Sequence, residues 1–481
     1  MKLPELRWLL PIGCWLLLEP AFAWQGSHSA TRRLYVEPFT TKSGAERLRE
    51  DVTAELRKLT SFSIVAVEEK ADLVLGGGGE IWIKGYRSFS PRSHMKMPAN
   101  GIPIYGGYLS VELKNRQGLT VWSYLATPDA ASEDVSKGIA KRIAKHLVAA
   151  LAEAEVPAAA PIHRPSLTLT GAGATFPYPV YQKWFTNFQS QSPGTAITYD
   201  AIGSEAGIRK LLAGSIDFGA SDSPEAIHQL APAEEKKYLL FPSVVGAVVP
   251  IVNLPGVSES IAFTPEALAG IYLGKIKKWN DPILRRANRG VDLPDLDIIV
   301  VHRADGSGTS YAWTGYLSKI SPEWKAEVGS SLSPQWPAGR AAAGNDGVAK
   351  LVKELSGSIG YVEFIYALQN RLSYGRIRNQ NAEFVEASLE SIAAAVRHSP
   401  QIGDDLEGSI VDAPGEGSYP IASFTWIVVP SHMADEAKRS AIRAFLQWML
   451  GPGQRQAAAL GYLALPKEIV SREQESIERV H

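Results

Sequence analysis

Cysteine is nearly absent from this 481-residue chain, in which Cys14 is the only one. A single cysteine excludes an internal disulfide framework and every metal site built from clustered thiolates. An excess of charge of either sign is also lacking, because the chain has 49 Lys and Arg residues and 50 Asp and Glu residues. Without a cationic surplus there is no general electrostatic attraction to nucleic-acid backbones, so we expect no nucleic-acid partner.

After the N-terminus, no segment has enough consecutive apolar residues for a membrane span. Residues 1–23 have the pattern of a secretory signal peptide, since Lys2 and Arg7 precede an apolar run and Ala21-Phe22-Ala23 supplies a cleavage motif. The run is short for a membrane span. Lipidation of Cys14 is an alternative, but the apolar residues that continue after it favour cleavage at the alanine motif. The pattern therefore predicts an exported protein.

Composition divides the rest of the chain into two patterned regions. Residues 153–166 are rich in Pro and Ala and predict a semi-rigid linker. Residues 24–152 show strand and helix patterns and predict a small α/β sandwich domain. Within it, Ser43-Gly44-Ala45-Glu46 has the form of a capping box, and Gly76–Gly79 predicts a corner or bulge between two strands. The element order resembles small α/β domains of bacterial envelope proteins, which implies an envelope protein as partner.

Three later segments share one order: a strand, a short Gly-rich turn with Ser or Thr, and a helix. The turns lie at Gly171–Pro177, Ile202–Ser204 and Arg303–Ser310. A helix start offers free backbone amides and a positive dipole end, the hydroxyl adds a donor, and Gly lets the backbone come close to a ligand. Converging on one point, three such starts would form an anion site. Taken singly, each Ser or Thr could instead be an ordinary helix N-cap.

The same region resembles the periplasmic phosphate-binding proteins of bacterial phosphate ABC importers, the PstS type. The matching segments, in the family's order, are LTGAGATFP at 169–177, IGS at 202–204, DFGASD at 217–222, IYLGKIKKW at 271–279, RADGSGTS at 303–310, GNDG at 344–347 and GYVE at 360–363. The likeness runs from residue 167 to nearly the C-terminus, and residues 24–166 have no counterpart in the family.

The resemblance implies a two-lobed, type II-like α/β binding protein in residues 167–481, preceded by the small α/β sandwich. It places the crossings between the lobes near 242–255 and 410–421. It implies a periplasmic protein that binds inorganic phosphate and delivers it to the membrane permease of an ABC importer. The implied phosphate ligands are Thr175, Phe176, Ser204, Asp222, Arg303, Ser307, Gly308 and Thr309, with Asp305 supporting Arg303. No cofactor, metal or catalytic residue is implied.

Asp222 is the implied ligand that would set selectivity, because a carboxylate repels an anion unless that anion carries a proton with which to donate a hydrogen bond to it. Phosphate at neutral pH carries a proton and sulfate carries none. Sulfate would therefore leave Asp222 an unpaired buried acceptor, at a cost of at least a few kcal/mol. Considered alone, Asp222 could instead be a turn residue before Ser223-Pro224.

Other functions are less well supported by the sequence. A phosphatase or serine hydrolase would use Ser307, but Asp305 and Thr309 stand where a nucleophile elbow needs Gly. We therefore expect no enzymatic activity. A phosphate-responsive sensor or envelope scaffold, using residues 24–152, is a further alternative.

Overall fold

The computed structural model describes residues 32–41, 47–59, 62–87, 102–116, 118–128, 134–151, 167–399 and 408–481. The predicted signal peptide (1–23), capping box (43–46) and linker (153–166) lie outside these residues. Within the described ranges, no helix combines the length and apolar character that crossing a membrane requires.

The described residues between 32 and 151 form a sheet with two helices, which we call the N-terminal layer. Its strands are β1 (Arg32–Val36), β2 (Thr40–Thr41), β3 (Phe62–Ile64), β4 (Leu73–Arg87), β5 (Ile102–Asn115) and β6 (Thr120–Ala126), and its helices are α1 (Leu48–Arg57) and α2 (Val135–Leu151). The strands pair in the order β3-β1-β4-β5-β6, with β2 beside β4. Apolar residues at helical spacing, such as Val52 and Leu56 in α1 and Ile139 and Ile143 in α2, are buried in the core. The predicted α/β sandwich is confirmed.

The run Gly76–Gly79 does not form the predicted corner or bulge. It lies inside the continuous strand β4 and pairs with β5 along its whole length. A Cβ at Gly77 would stand 2.5 Å from the carbonyl oxygen of Ser110, and one at Gly79 would stand 2.3 Å from that of Tyr108. The glycines therefore permit an approach of the two strands that larger residues would block, which local sequence cues do not reveal.

Residues 167–481 have the predicted two-lobed α/β fold. The strands are β7 (Leu167–Gly173), β8 (Thr195–Ala201), β9 (Phe218–Ser221), β10 (Tyr238–Asn253), β11 (Ala262–Phe263), β12 (Ile299–Arg303), β13 (Arg340–Ala342), β14 (Ser358–Glu363), β15 (Ser373–Tyr374), β16 (Arg376–Arg378), β17 (Phe384–Val385) and β18 (Ala422–Pro430). One sheet has the order β13-β12-β14-β10-β18-β9-β7-β8, with β15 beside β10. A small second sheet has the order β11-β16-β17.

Helices flank these strands. They are α3 (Tyr178–Gln191), α4 (Ser204–Leu212), α5 (Ala226–Leu230), α6 (Pro265–Tyr272), α7 (Pro282–Ala287), α8 (Gly308–Ile320), α9 (Pro322–Glu327), α10 (Gly344–Glu354), α11 (Phe364–Gln369), α12 (Leu389–Arg397), α13 (Glu436–Trp448), α14 (Gln454–Ala457) and α15 (Lys467–Ser476). Lobe 1 contains β7–β9 and β18 with α3–α5 and α13–α15. Lobe 2 contains β11–β17 with α6–α12.

The long strand β10 joins the two lobes. Its first part, Tyr238–Ala247, pairs with β18 of lobe 1, and its second part, Val248–Asn253, pairs with β14 of lobe 2. We therefore propose that the chain crosses between the lobes inside β10, within the predicted range 242–255. It returns to lobe 1 ahead of β18, and we propose residues 410–421 as this second crossing.

The N-terminal layer contacts both lobes. The Ser123 hydroxyl of β6 donates a hydrogen bond to the carbonyl oxygen of Arg455 in lobe 1, at 2.6 Å. The Tyr124 hydroxyl donates to Glu390 Oε1 in lobe 2, also at 2.6 Å. Because consecutive residues of one strand hold different lobes, the layer spans the junction between them.

Candidate functional site

Turns from both lobes meet in the cleft between them. Lobe 1 contributes Thr175 and Phe176 after β7, Ser204 at the start of α4 and Asp222 after β9. Lobe 2 contributes Arg303 at the end of β12, and Ser307, Gly308 and Thr309 around the start of α8. All eight residues are buried, and Asp305 is half-buried. Buried polar groups in such number need partners, either from the protein or from a ligand.

Contacts across the cleft bring these turns to one point. The Gly308 amide donates to Ser204 Oγ at 3.0 Å, and Asn345 Nδ2 of lobe 2 donates to Thr175 Oγ1 at 2.8 Å. A Cβ at Gly308 would lie 2.6 Å from both the Cβ and the backbone nitrogen of Asp222. Only glycine allows the lobes to approach this closely at that position.

The hydroxyls at the three helix starts play different roles. Helices α3 and α4 have no side-chain cap. The Thr175 and Ser204 hydroxyls bond across the cleft instead, so the N-cap alternative is wrong for both. At α8 the alternative is right, because Ser307 Oγ accepts from the Ser310 amide at 3.2 Å.

The predicted amide donors divide into engaged and free groups. The Ser307 amide donates to a backbone carbonyl of its own lobe at 2.8 Å, and the Gly308 amide is held by Ser204. By contrast, the amides of Phe176, Ser204 and Thr309 have no acceptor among the residues that the structure describes. Free N–H groups at helix starts on both sides of a buried cleft can donate hydrogen bonds to an anion.

Arg303 supplies a buried positive charge at the site. Its side chain is 1% exposed. The Nε atom donates to Asp305 Oδ1 at 2.9 Å, a second guanidinium nitrogen bonds the other Asp305 oxygen, and Nη1 lies 3.4 Å from Thr309 Oγ1. Burial acts to raise the pKa of Asp305, but the hydrogen bonds and charge of Arg303 hold that pKa below its ordinary value. The carboxylate thus stays charged and orients the guanidinium.

Asp222 is a buried carboxylate of the cleft, with 2% of the residue exposed. Its Oδ1 accepts a hydrogen bond from the Thr425 hydroxyl at 2.6 Å. Burial raises the pKa of Asp222 to about 7, although the Thr425 bond, the charge of Arg303 and a bond from Thr309 oppose the shift. With this pKa, the Asp222 carboxyl changes near neutral pH from a protonated group that can donate a hydrogen bond to a carboxylate that only accepts.

Comparison with known proteins identifies the family. A family model described as a PBP superfamily domain matches residues 158–452, which begin after the N-terminal layer. The phosphate-binding protein PstS of Pasteurella multocida is 42% identical over 307 residues, covering 63% of this chain and 88% of that protein. The chain belongs to the PstS family. The PstS of Haemophilus influenzae, at 40% identity, covers 63% of this chain and 90% of its own length.

A solved structure supports the same fold for the PstS region. The periplasmic phosphate-binding protein PfluDING, bound with phosphate, superposes with a TM-score of 0.51 at 21% sequence identity. The match covers 64% of this chain and 93% of that protein. At this level of identity the likeness establishes the two-lobed fold alone.

The structure places Asn345 among the predicted ligand residues. Asn345 Nδ2 lies within 3.4 Å of Thr309 Oγ1, in addition to its bond with Thr175, and Asn345 Oδ1 accepts from the Glu363 amide at 3.0 Å. Sequence reasoning matched its GNDG segment to the family but assigned it no role. The Asn345 side chain links the turns of both lobes. The match of its GNDG segment to the family was the sequence signal that could have assigned it to the site.

Thr425 was missed for a different reason. It lies in the middle of β18, a buried apolar strand, where neither a turn nor a glycine marks it. Its hydroxyl reaches Asp222 because β18 pairs with β9. Within the described residues, no three His, Cys, Asp or Glu side chains cluster to hold a metal ion.

Proposed function

We propose that this protein binds inorganic phosphate in the periplasm and delivers it to the membrane permease of an ABC importer. The observation that carries the proposal is the buried cleft itself, in which free amides of Phe176, Ser204 and Thr309 lie beside the Arg303 guanidinium. Neutral dipoles with one compensated cation suit a small, strongly hydrated oxyanion. The proposed ligands are those that the sequence predicted, together with Asn345. Of these, Ser307 would donate through its hydroxyl, and the Gly308 amide would exchange its bond with Ser204 for one with phosphate.

Calorimetric titration of the purified chain with phosphate, sulfate and arsenate tests the proposal. We expect phosphate to bind with a dissociation constant of about 1 μM or lower, equivalent to about −8 kcal/mol. Sulfate should bind at least about 100-fold more weakly. Absence of phosphate binding would overturn the proposal. The same preparation should release no phosphate from a phosphomonoester, because Ser307 Oγ serves as a helix cap.

Asp222→Asn should weaken the discrimination against sulfate at least about 10-fold at about pH 8. The carboxylate is an acceptor that only a protonated oxyanion satisfies, and an unsatisfied buried group costs about 1–3 kcal/mol. The amide of Asn can donate to sulfate. Competition titration measures the ratio of affinities. Asp346→Asn is the matched control, since Asp346 is an exposed carboxylate at the same cleft. An unchanged ratio in Asp222→Asn would contradict the role assigned to Asp222.

The selectivity should also depend on pH. Because the pKa of Asp222 is about 7, the carboxyl is protonated below neutral pH and can then donate to sulfate. We expect the phosphate-to-sulfate affinity ratio to be largest near about pH 8 and to fall as the pH is lowered to about 5.5. In Asp222→Asn this dependence should be largely lost. A ratio that rises on acidification of the wild-type protein would contradict the assignment.

The partners of the protein remain proposals. An ABC permease follows from the proposed transport role. We propose an envelope protein as the partner of residues 24–152. A phosphate-responsive sensor is the second candidate function. The contacts of the layer with both lobes favour it, since lobe movement would change the surroundings of Ser123 and Tyr124.

A further inference from the structure

A second cavity lies between the N-terminal layer and lobe 2, away from the cleft. Its volume is about 450 Å³, within the range of small-molecule sites. Strands β4 and β5 form one wall, and residues 258–260, 289–291 and 368–376 of lobe 2 form the other. Because the layer contributes eight of the nineteen lining residues, the cavity is not formed by the two-lobed region alone.

Cations outnumber carboxylates in the lining. The charged side chains are Lys84, Arg289 and Arg376 against Glu259 and Glu386. Neither Arg289 nor Arg376 forms an ion pair with any residue that the structure describes. The charge of Glu386 already acts on two neighbours, since it helps to raise the pKa of the buried Tyr374 hydroxyl and attracts Lys84. Positive charge in the cavity is therefore left without a full set of partners.

Burial of two of these cations, Arg376 and Lys84, costs free energy of folding. The Nε atom of Arg376 is buried and has no hydrogen-bond acceptor in the described part of the chain. Burial lowers the pKa of Lys84, and the charge of Glu386 offsets only part of that effect. An unsatisfied buried donor lowers stability unless a ligand or water accepts a hydrogen bond from it. A bound anion would offset the charge of both groups.

The remaining wall is aromatic. Trp82, Tyr105 and Tyr374 line the cavity, and Lys84 Nζ lies 5.2 Å from the centre of the Tyr374 ring. A Cβ at Gly106 would stand 2.7 Å from the Trp82 indole, so glycine keeps this wall flat. Such a surface suits a planar apolar group, while the cations suit a carboxylate or phosphate at one end.

We propose that this cavity is a second ligand site, which takes a small organic anion with a flat apolar body. The anionic group lies between Lys84 and Arg376, and the apolar body packs on Trp82 and Tyr105. The site is separate from the phosphate cleft, so its occupation does not depend on the function proposed for that cleft.

Thermal-shift and calorimetric titration of the full chain test the site, with inorganic phosphate in excess throughout to keep the cleft occupied. The probes are benzoate and phenyl phosphate, with neutral benzamide and non-aromatic acetate as comparisons. We expect at least one aromatic anion to raise the melting temperature by about 2 °C or more at millimolar concentration, and both comparison compounds to raise it less. Whether benzoate or phenyl phosphate binds more tightly distinguishes a carboxylate ligand from a phosphomonoester.

Two variants locate the binding. Lys84→Met and Arg376→Gln should each weaken the aromatic anion at least about 10-fold and leave phosphate affinity in the cleft unchanged. Lys350→Met and Arg340→Gln, which remove exposed cations elsewhere, are the matched controls. The proposal is overturned if neither aromatic anion binds, if benzamide binds as tightly as benzoate, or if affinity survives in both cavity variants.

Discussion

Arg303→Gln should weaken phosphate binding by at least about 100-fold. Hydrogen bonds to a charged partner contribute about 1.5–3 kcal/mol each, and the guanidinium can direct two of them at one oxyanion. The substitution also leaves Asp305 as an uncompensated carboxylate beside the anion, because Arg303 is its ion-pair partner. Calorimetric titration of the variant measures the loss.

The matched control for this variant is Arg340→Gln. Arg340 is exposed on β13, which pairs with the strand that carries Arg303. The control removes the same charge from the same lobe, so it accounts for any long-range electrostatic contribution. Arg303→Lys should give an intermediate affinity, because it keeps the charge and loses the planar fork of donors. An Arg303→Gln variant that binds phosphate within about 10-fold of wild type would remove Arg303 from the site.

Gly308→Ala should also weaken phosphate binding by at least about 100-fold, through a steric effect alone. The new methyl group would lie 2.6 Å from Asp222, which belongs to the opposite lobe, so the lobes could not close fully. Hydrogen bonds weaken steeply when their geometry is lost, and every donor of lobe 2 would move away from an anion held by lobe 1. Titration calorimetry gives the affinity, and small-angle scattering with saturating phosphate reports the closure.

Gly315→Ala is the control for the steric argument. Gly315 lies on the same helix, α8, and its added Cβ would meet no heavy atom closer than 3.5 Å. Alanine favours helix at both positions, so a local effect on α8 would be shared by the two variants. Equal phosphate affinity in Gly308→Ala and Gly315→Ala would show that closure against Asp222 does not govern binding.

Local sequence signals predicted the elements that carry the site. A strand, a glycine turn and a helix follow one another at β7–α3, β8–α4 and β12–α8 because neighbouring residues set these conformations. The same kind of reasoning failed at Gly76–Gly79, where the glycines allow the close approach of the adjacent strand β5 and do not form a turn. It also could not tell that Ser307 caps its helix whereas Ser204 bonds across the cleft.

By itself, the sequence determined the fold class, the family resemblance and the types of residue available to hold an anion, since each depends on residues close together in the chain. Only the tertiary structure decided which groups meet. Ser204 and Gly308 are 104 residues apart, and Thr175 and Asn345 are 170 apart. Their contacts follow from the strand order and from the close approach of two lobes. The pKa of Asp222 and the cavity beneath the N-terminal layer depend on burial by distant segments, which no local pattern encodes.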